Sequence, residues 1–166
     1  MSENKITTQI LALRPGKREM GIAALEGQDL VFWGAAGFRG HRQELLEVVE
    51  RRVQGLVRTY QPEVIAIEQP SQLRLAASWS LPGIINCLSA VAEKNGLQFR
   101  VYDRWVIREK LFGLAWANRR ELADRMVKLY PHLARYRNCS SRWQESYWLA
   151  MFMAVAVGVV CERDGN

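Results

Sequence analysis

The sequence has few of the residues that staple or anchor a small protein. It holds three cysteines in 166 residues, Cys87, Cys139 and Cys161. The set is odd in number and scattered, which excludes a disulfide framework and a zinc site and suits a reducing cytoplasm. The opening residues do not read as a leader: Ser2-Glu3-Asn4-Lys5 is polar and the next apolar run is only a few residues long, so no signal peptide is expected. The longest apolar run, Tyr147 to Cys161, has 15 residues against the roughly 20 that a spanning helix requires. It reads as a buried core or interface helix, and no membrane partner is expected. There is no repeat, low-complexity segment or linker. Acid is scarce late in the chain: between Asp124 and Glu162 the only carboxylate is Glu145.

A hydrophobic content of 49% is enough for one domain that buries most of its apolar surface, over residues 1–166 with an ordered core over about 8–161. The net charge of +6 is regional. From Arg100 to Arg142 there are 11 Lys or Arg against 4 Asp or Glu, a local +7 that leaves the rest of the chain near −1. The same region carries Trp105, Phe112, Trp116, Tyr130, Tyr136 and Trp143. Cations interleaved with aromatics suit a phosphate backbone with exposed bases, so nucleic acid is the expected partner.

Along the chain, Ile10–Leu13, Met20–Leu25 and Leu30–Gly34 read as an antiparallel three-strand meander, with Pro15-Gly16-Lys17 and Glu26-Gly27-Gln28-Asp29 as turns. From Gln43 the period changes: Leu45, Val49, Val53, Leu56, Val57 and Tyr60 share one helical face until Pro62. Val64–Glu68 is apolar on both faces, as a central parallel strand is. A helix from about Pro82 to Asn95 stops at Gly96, and Phe99–Tyr102 is a fifth strand. The remainder is helical, with breaks at Gly113 and Pro131 and capping boxes at Asn118/Glu121 and Ser141/Gln144.

In open α/β sheets ligands gather beyond the carboxyl ends of the strands. That rule singles out Arg14 at the end of the first strand and Glu68 at the end of the fourth, joined by Glu145 if the last helix begins across the sheet. A carboxylate closing an apolar central strand is costly unless it is paired or holds a metal. A carboxylate in a helix's first turn is also favoured by the helix dipole alone.

The three-strand opening with Pro15-Gly16 and Gly21, the strand end Ala66-Ile67-Glu68-Gln69, the residues Gly113, Arg119 and Met126-Val127, and the closing apolar helix together resemble the RuvC Holliday-junction resolvases of the RNase H-like superfamily. The resemblance spans nearly the full length. It implies an α/β fold with a mixed five-stranded sheet, three antiparallel strands followed by parallel ones, flanked by helices. It implies a site in which four carboxylates hold two magnesium ions, which activate a water and stabilise the leaving oxygen as a DNA strand is cut. Residue by residue, Arg14 stands in the place of the first-strand aspartate and Glu68 keeps the fourth-strand glutamate. Glu145 fits the first of two helix acids, and Trp148 stands where the second would be. The family's basic residues have counterparts in Arg108 and Arg119, with Arg104, Lys110, Arg120 and Arg125 nearby, and its aromatic wedge is replaced by Gln69-Pro70-Ser71-Gln72-Leu73.

The remaining metal ligands would then be Glu68 and Glu145. A guanidinium about 4 Å from a divalent ion, at an effective dielectric of about 20, costs ~8 kcal/mol before relaxation, so the metal site should be lost or severely weakened. Arg14 either forks onto Glu68 and Glu145 as an internal cation or points to a DNA phosphate above a one-metal site. The expectation is a RuvC-like protein that binds branched or duplex DNA as a homodimer, without a cofactor and with little or no nuclease activity. Two alternatives stay open: an active magnesium-dependent endonuclease with an altered site, and a non-catalytic scaffold for a protein partner.

Overall fold

A strand that is apolar at every position must be covered on both faces, and the element order shows how this is done. A computed structural model describes residues 7–113, 117–139 and 141–165. Strands β1 (Gln9–Pro15), β2 (Glu19–Glu26) and β3 (Asp29–Gly37) form the antiparallel meander, and β4 (Val64–Gln69) and β5 (Gln98–Asp103) add parallel strands. The strand order is β3-β2-β1-β4-β5, the expected mixed sheet. Helices α1 (Gln43–Tyr60) and α3 (Leu81–Lys94) cover one face. On the other lies α6 (Arg142–Asp164), backed by α4 (Arg104–Phe112) and α5 (Arg119–Leu129).

The period of two along each strand divides the core. Leu11, Leu13, Ile22, Ile65 and Ile67 point to α1 and α3, whereas Ile10, Ala12, Ala23 and Ala66 point to α6. On that side Ala12 is in register with Ala23 on one neighbour and Ala66 on the other. This row of methyl groups lets a helix come close. A Cβ on Gly158 would lie 2.3 Å from Leu25 Cδ1, and one on Gly21 would lie 1.8 Å from the carbonyl oxygen of Ala150. Every residue of α6 from Leu149 to Cys161 is buried, which is what a helix apolar on all sides requires. The helix is long and apolar enough to cross a membrane, and 72% of its most apolar window is buried inside this fold.

Local chemistry sets the helix ends. Asn118 Oδ1 accepts from Glu121 N at 2.9 Å and Ser141 Oγ accepts from Gln144 N at 3.2 Å, satisfying N-terminal donors that have no partner within the helix. Gly113 closes α4 at a φ of 71°, a conformation that glycine adopts without strain. One short helix, α2 (Gln72–Ala77), is absent from the sequence expectation; it buries none of its residues, so no apolar period announces it.

Cys87 on α3 is half-buried, its thiol 3.8 Å from the Leu46 carbonyl of α1. Burial, and then the Glu50 carboxylate, push it from an ordinary value of 9.0 up to about 11. Because the folded state holds this proton more tightly, the group's contribution to stability is complete below the unfolded value and is lost as pH rises toward the folded one. Iodoacetamide at pH 8 should alkylate Cys87 about 100-fold more slowly in the folded protein than in urea. Equal rates by mass spectrometry would contradict this placement.

Candidate nucleic-acid interface

Register brings the two strand-end residues together. Leu13 pairs with Ile67 across the parallel β1–β4 ladder, so the next residues, Arg14 and Glu68, end neighbouring strands on the α6 side. Each is only 7% exposed. The segments that leave β4 and β5 complete the wall, with Ser71 and Arg74 from the start of α2 and Arg104 and Arg108 from α4. Glu19 opens β2, Arg119 comes from α5 and Ser146 from α6, around a cavity of about 380 Å³. Five guanidiniums thus face two carboxylates.

Their environments differ. Among the described residues Arg14 makes one ion pair, to Glu19 at 3.9 Å. Burial first, and then the like charge of Arg74, lower its pKa from the usual arginine value, with Glu68 and Glu19 opposing. Arg108 is a brace: Nε donates to the Ala117 carbonyl and Nη1 to the Arg104 carbonyl at 2.9 Å, tying α4 to the chain before α5. Burial and Arg104 depress its pKa, against the pull of Glu68. Arg104 and Arg119 are exposed and free to meet a ligand.

The sequence-predicted residues divide. Arg14, Glu68, Arg104, Arg108 and Arg119 converge in the cleft. Glu145 does not, and the expected fork of Arg14 onto Glu68 and Glu145 is absent. Glu145 Oε1 accepts from Arg120 Nε at 2.8 Å and Nη2 at 2.6 Å, while Oε2 lies 4.0 Å from Arg137; the helix presents the neighbouring Ser146 to the cleft instead. Trp148 packs on the core against Tyr136, with ring centroids 4.6 Å apart. Arg120 sits in an adjoining cavity with Arg142 and Glu145. Lys110 pairs with Asp164, and Arg125 donates to the Leu111 carbonyl and lies over the Phe112 ring, so neither lines the cleft. The sequence pattern does not point to Arg74, Glu19 or Ser146, and it singles out Ser71 only within the segment that replaces the aromatic wedge; a serine two residues after β4 is an N-cap signal for α2 and Arg74.

The aromatic set also divides. Phe112, Tyr130 and Tyr136 pack against the core, Trp116 lies outside the described residues, and Trp105 and Trp143 are 51% and 73% exposed. Leu73, 84% exposed, precedes the cleft arginine Arg74 in the chain and Trp105 follows Arg104, while Trp143 stacks on Tyr147 with ring centroids 5.8 Å apart.

The pair of magnesium ions implied by the resemblance does not fit this donor set. Among the described residues no three His, Cys, Asp or Glu side chains converge, and the cleft's two carboxylates are outnumbered by arginines. Magnesium requires near-octahedral oxygen ligands, and a guanidinium supplies none.

No protein-family profile matches the sequence, and none of the curated proteins does. Solved structures do match. RuvC of Thermus thermophilus superposes with a TM-score of 0.72 at 15% identity, covering 95% of this chain and 97% of that one. The fold is that of RuvC. The same enzyme in complex with a Holliday junction substrate matches at 0.68 and 16% identity, over 92% and 94% of the two chains. The fowlpox virus resolvase with its Holliday junction DNA matches at 0.62 and 12% identity, over 95% and 98%. In the RuvC-like fold of this chain, then, the ends of β1 and β4 carry an arginine and a glutamate.

Proposed function

We infer that this protein binds branched DNA of the Holliday-junction type through the arginine cleft, as a homodimer, and does not cut it. The observation that carries the reading is the cleft itself: arginines gathered at the carboxyl ends of parallel strands, where ligands of α/β sheets collect, around a single strand-end carboxylate. The RuvC-like fold supports branched DNA as the ligand, since two of the structural neighbours were determined with Holliday junctions. Exposed Leu73, Trp105 and Trp143 offer apolar surface to bases unstacked at a branch point. A two-fold dimer suits a junction with paired arms. The misfit of magnesium supports the absence of cutting.

The test is a binding and cleavage assay on a four-way junction. Binding should need no divalent ion. With about four phosphate contacts it should weaken by about 100-fold between 50 and 200 mM salt. Magnesium or manganese should produce no nicked strand. Site-specific nicking that disappears in Glu68→Gln would overturn the reading in favour of a metal-dependent endonuclease.

A further inference from the structure

The floor of the cleft holds a cation that its neighbours do not neutralise. The Arg14 side chain is 9% exposed, and the ion pair it forms among the described residues, to Glu19, is 3.9 Å long, well beyond the roughly 2.7–2.9 Å of a charge-assisted hydrogen bond. A charge buried this way is costly unless a counter-ion completes it. Glu68 ends the neighbouring strand and offsets part of the charge, while Arg74 and Arg119 oppose it. Taken together, the lining side chains carry five positive charges and two negative ones, with the hydroxyls of Ser71 and Ser146 as further donors. A planar guanidinium presents five N–H groups in a fork that matches a phosphate oxygen pair. The Arg108 fork is already engaged by two backbone carbonyls, which leaves Arg14, Arg74, Arg104 and Arg119 for a ligand.

We propose that the cleft is an oxyanion site that holds a phosphate group on Arg14, Arg74 and Arg119 without any divalent ion. The guanidiniums supply the positive field at the strand ends, and Glu68 sets the strength of the site by repelling the anion. The choice of DNA as the source of the phosphate rests on the function proposed above; the site itself does not. The phosphate is either a diester within a strand or a terminal monoester.

The sign of one substitution separates this site from a metal site. Where a metal ion bridges protein and phosphate, Glu68→Gln removes a ligand and weakens binding. In the arginine site the same isosteric change removes a repelling charge and tightens it. The experiment titrates inorganic phosphate, once in EDTA and once with magnesium, at constant ionic strength with chloride, followed by 31P line broadening and by the rise in Tm. Arg14→Gln should loosen phosphate binding at least 10-fold, Glu68→Gln should tighten it several-fold, and Arg74→Gln, on a half-buried helix position that leaves the core untouched, should loosen it should Arg14→Gln fail to fold. Wild-type protein that responds to phosphate no more than to chloride, or a Glu68→Gln variant that binds phosphate less tightly, overturns the proposal. Tighter binding of a 5′-phosphorylated dinucleotide than of its unphosphorylated form assigns the site to terminal phosphates, and equal binding assigns it to internal diesters. Junction binding without a phosphate response removes the oxyanion site and leaves the DNA reading; a phosphate response without junction binding does the reverse.

Discussion

Reversing the charge of both Arg104 and Arg119 to glutamate should weaken binding to a four-way junction by about 100-fold or more and leave the Tm nearly unchanged. Both side chains are exposed and line the cleft, so they are available to DNA and contribute little to packing. A hydrogen bond to a charged group is worth roughly 1.5–3 kcal/mol, two lost contacts amount to ~3–6 kcal/mol, and each 1.4 kcal/mol is about tenfold. Reversal adds repulsion from the phosphates to the lost attraction. The log–log slope of affinity against salt should also fall by about 2, one for each phosphate contact removed. Fluorescence anisotropy with a labelled junction at several salt concentrations measures both quantities. Unchanged affinity and slope would place the DNA on another surface.

The second large effect concerns the fold. Gly21→Ala should destabilise the protein by ~3 kcal/mol or more. Gly21 lies opposite Arg14 on β2, and a Cβ there would meet the Ala150 backbone at 1.8 Å from oxygen and 2.3 Å from carbon. The obstacle is main chain, so no rotamer change relieves it, and α6 would have to lift away from the strands that carry the cleft. Overpacking in cores costs roughly 1–3 kcal/mol where side chains can adjust; here the rigid partner puts the cost at the upper end or beyond. For a chain of this size ~3 kcal/mol corresponds to a Tm about 6–12 °C lower, readable by circular dichroism. A drop of a degree or less would mean that α6 does not press on β2 as described. Gly55, by contrast, has nothing within 4 Å of its Cβ position, and Gly55→Ala serves as the harmless control.

Most of the fold was legible because its elements carry their own period. The apolar strands, the one-sided face of α1 and the capping residues Asn118 and Ser141 all lie where pattern and propensity put them. Arg14 and Glu68 were legible for a topological reason: strand ends are where a parallel sheet gathers its polar groups. Glu145 was misplaced for an equally physical reason. Adjacent residues on a helix point about 100° apart, and only a polar stripe on an otherwise apolar helix tells which way it is turned. From Leu149 to Cys161 α6 is buried on every side, so its pattern holds no such stripe, and Ser146 faces the cleft in place of the acid. Lys110 and Arg125 illustrate the matching limit for charge. A count of basic residues cannot separate those that face a ligand from those already paired with Asp164 or laid over Phe112.

The late place of α6 in the chain has a consequence for synthesis. The strands it covers, β1 and β2, leave the ribosome more than 100 residues before Leu149 to Cys161 do. Throughout that interval the alanine-floored face of the meander has no cover of its own, and β3 offers a free edge. At about 5–20 residues per second the nascent chain spends several seconds with this surface open, a window in which a holdase can bind and in which unpaired strands of neighbouring chains can associate. Contacts between elements so far apart in sequence also slow refolding, because the step that seals the core waits for the last long helix to arrive.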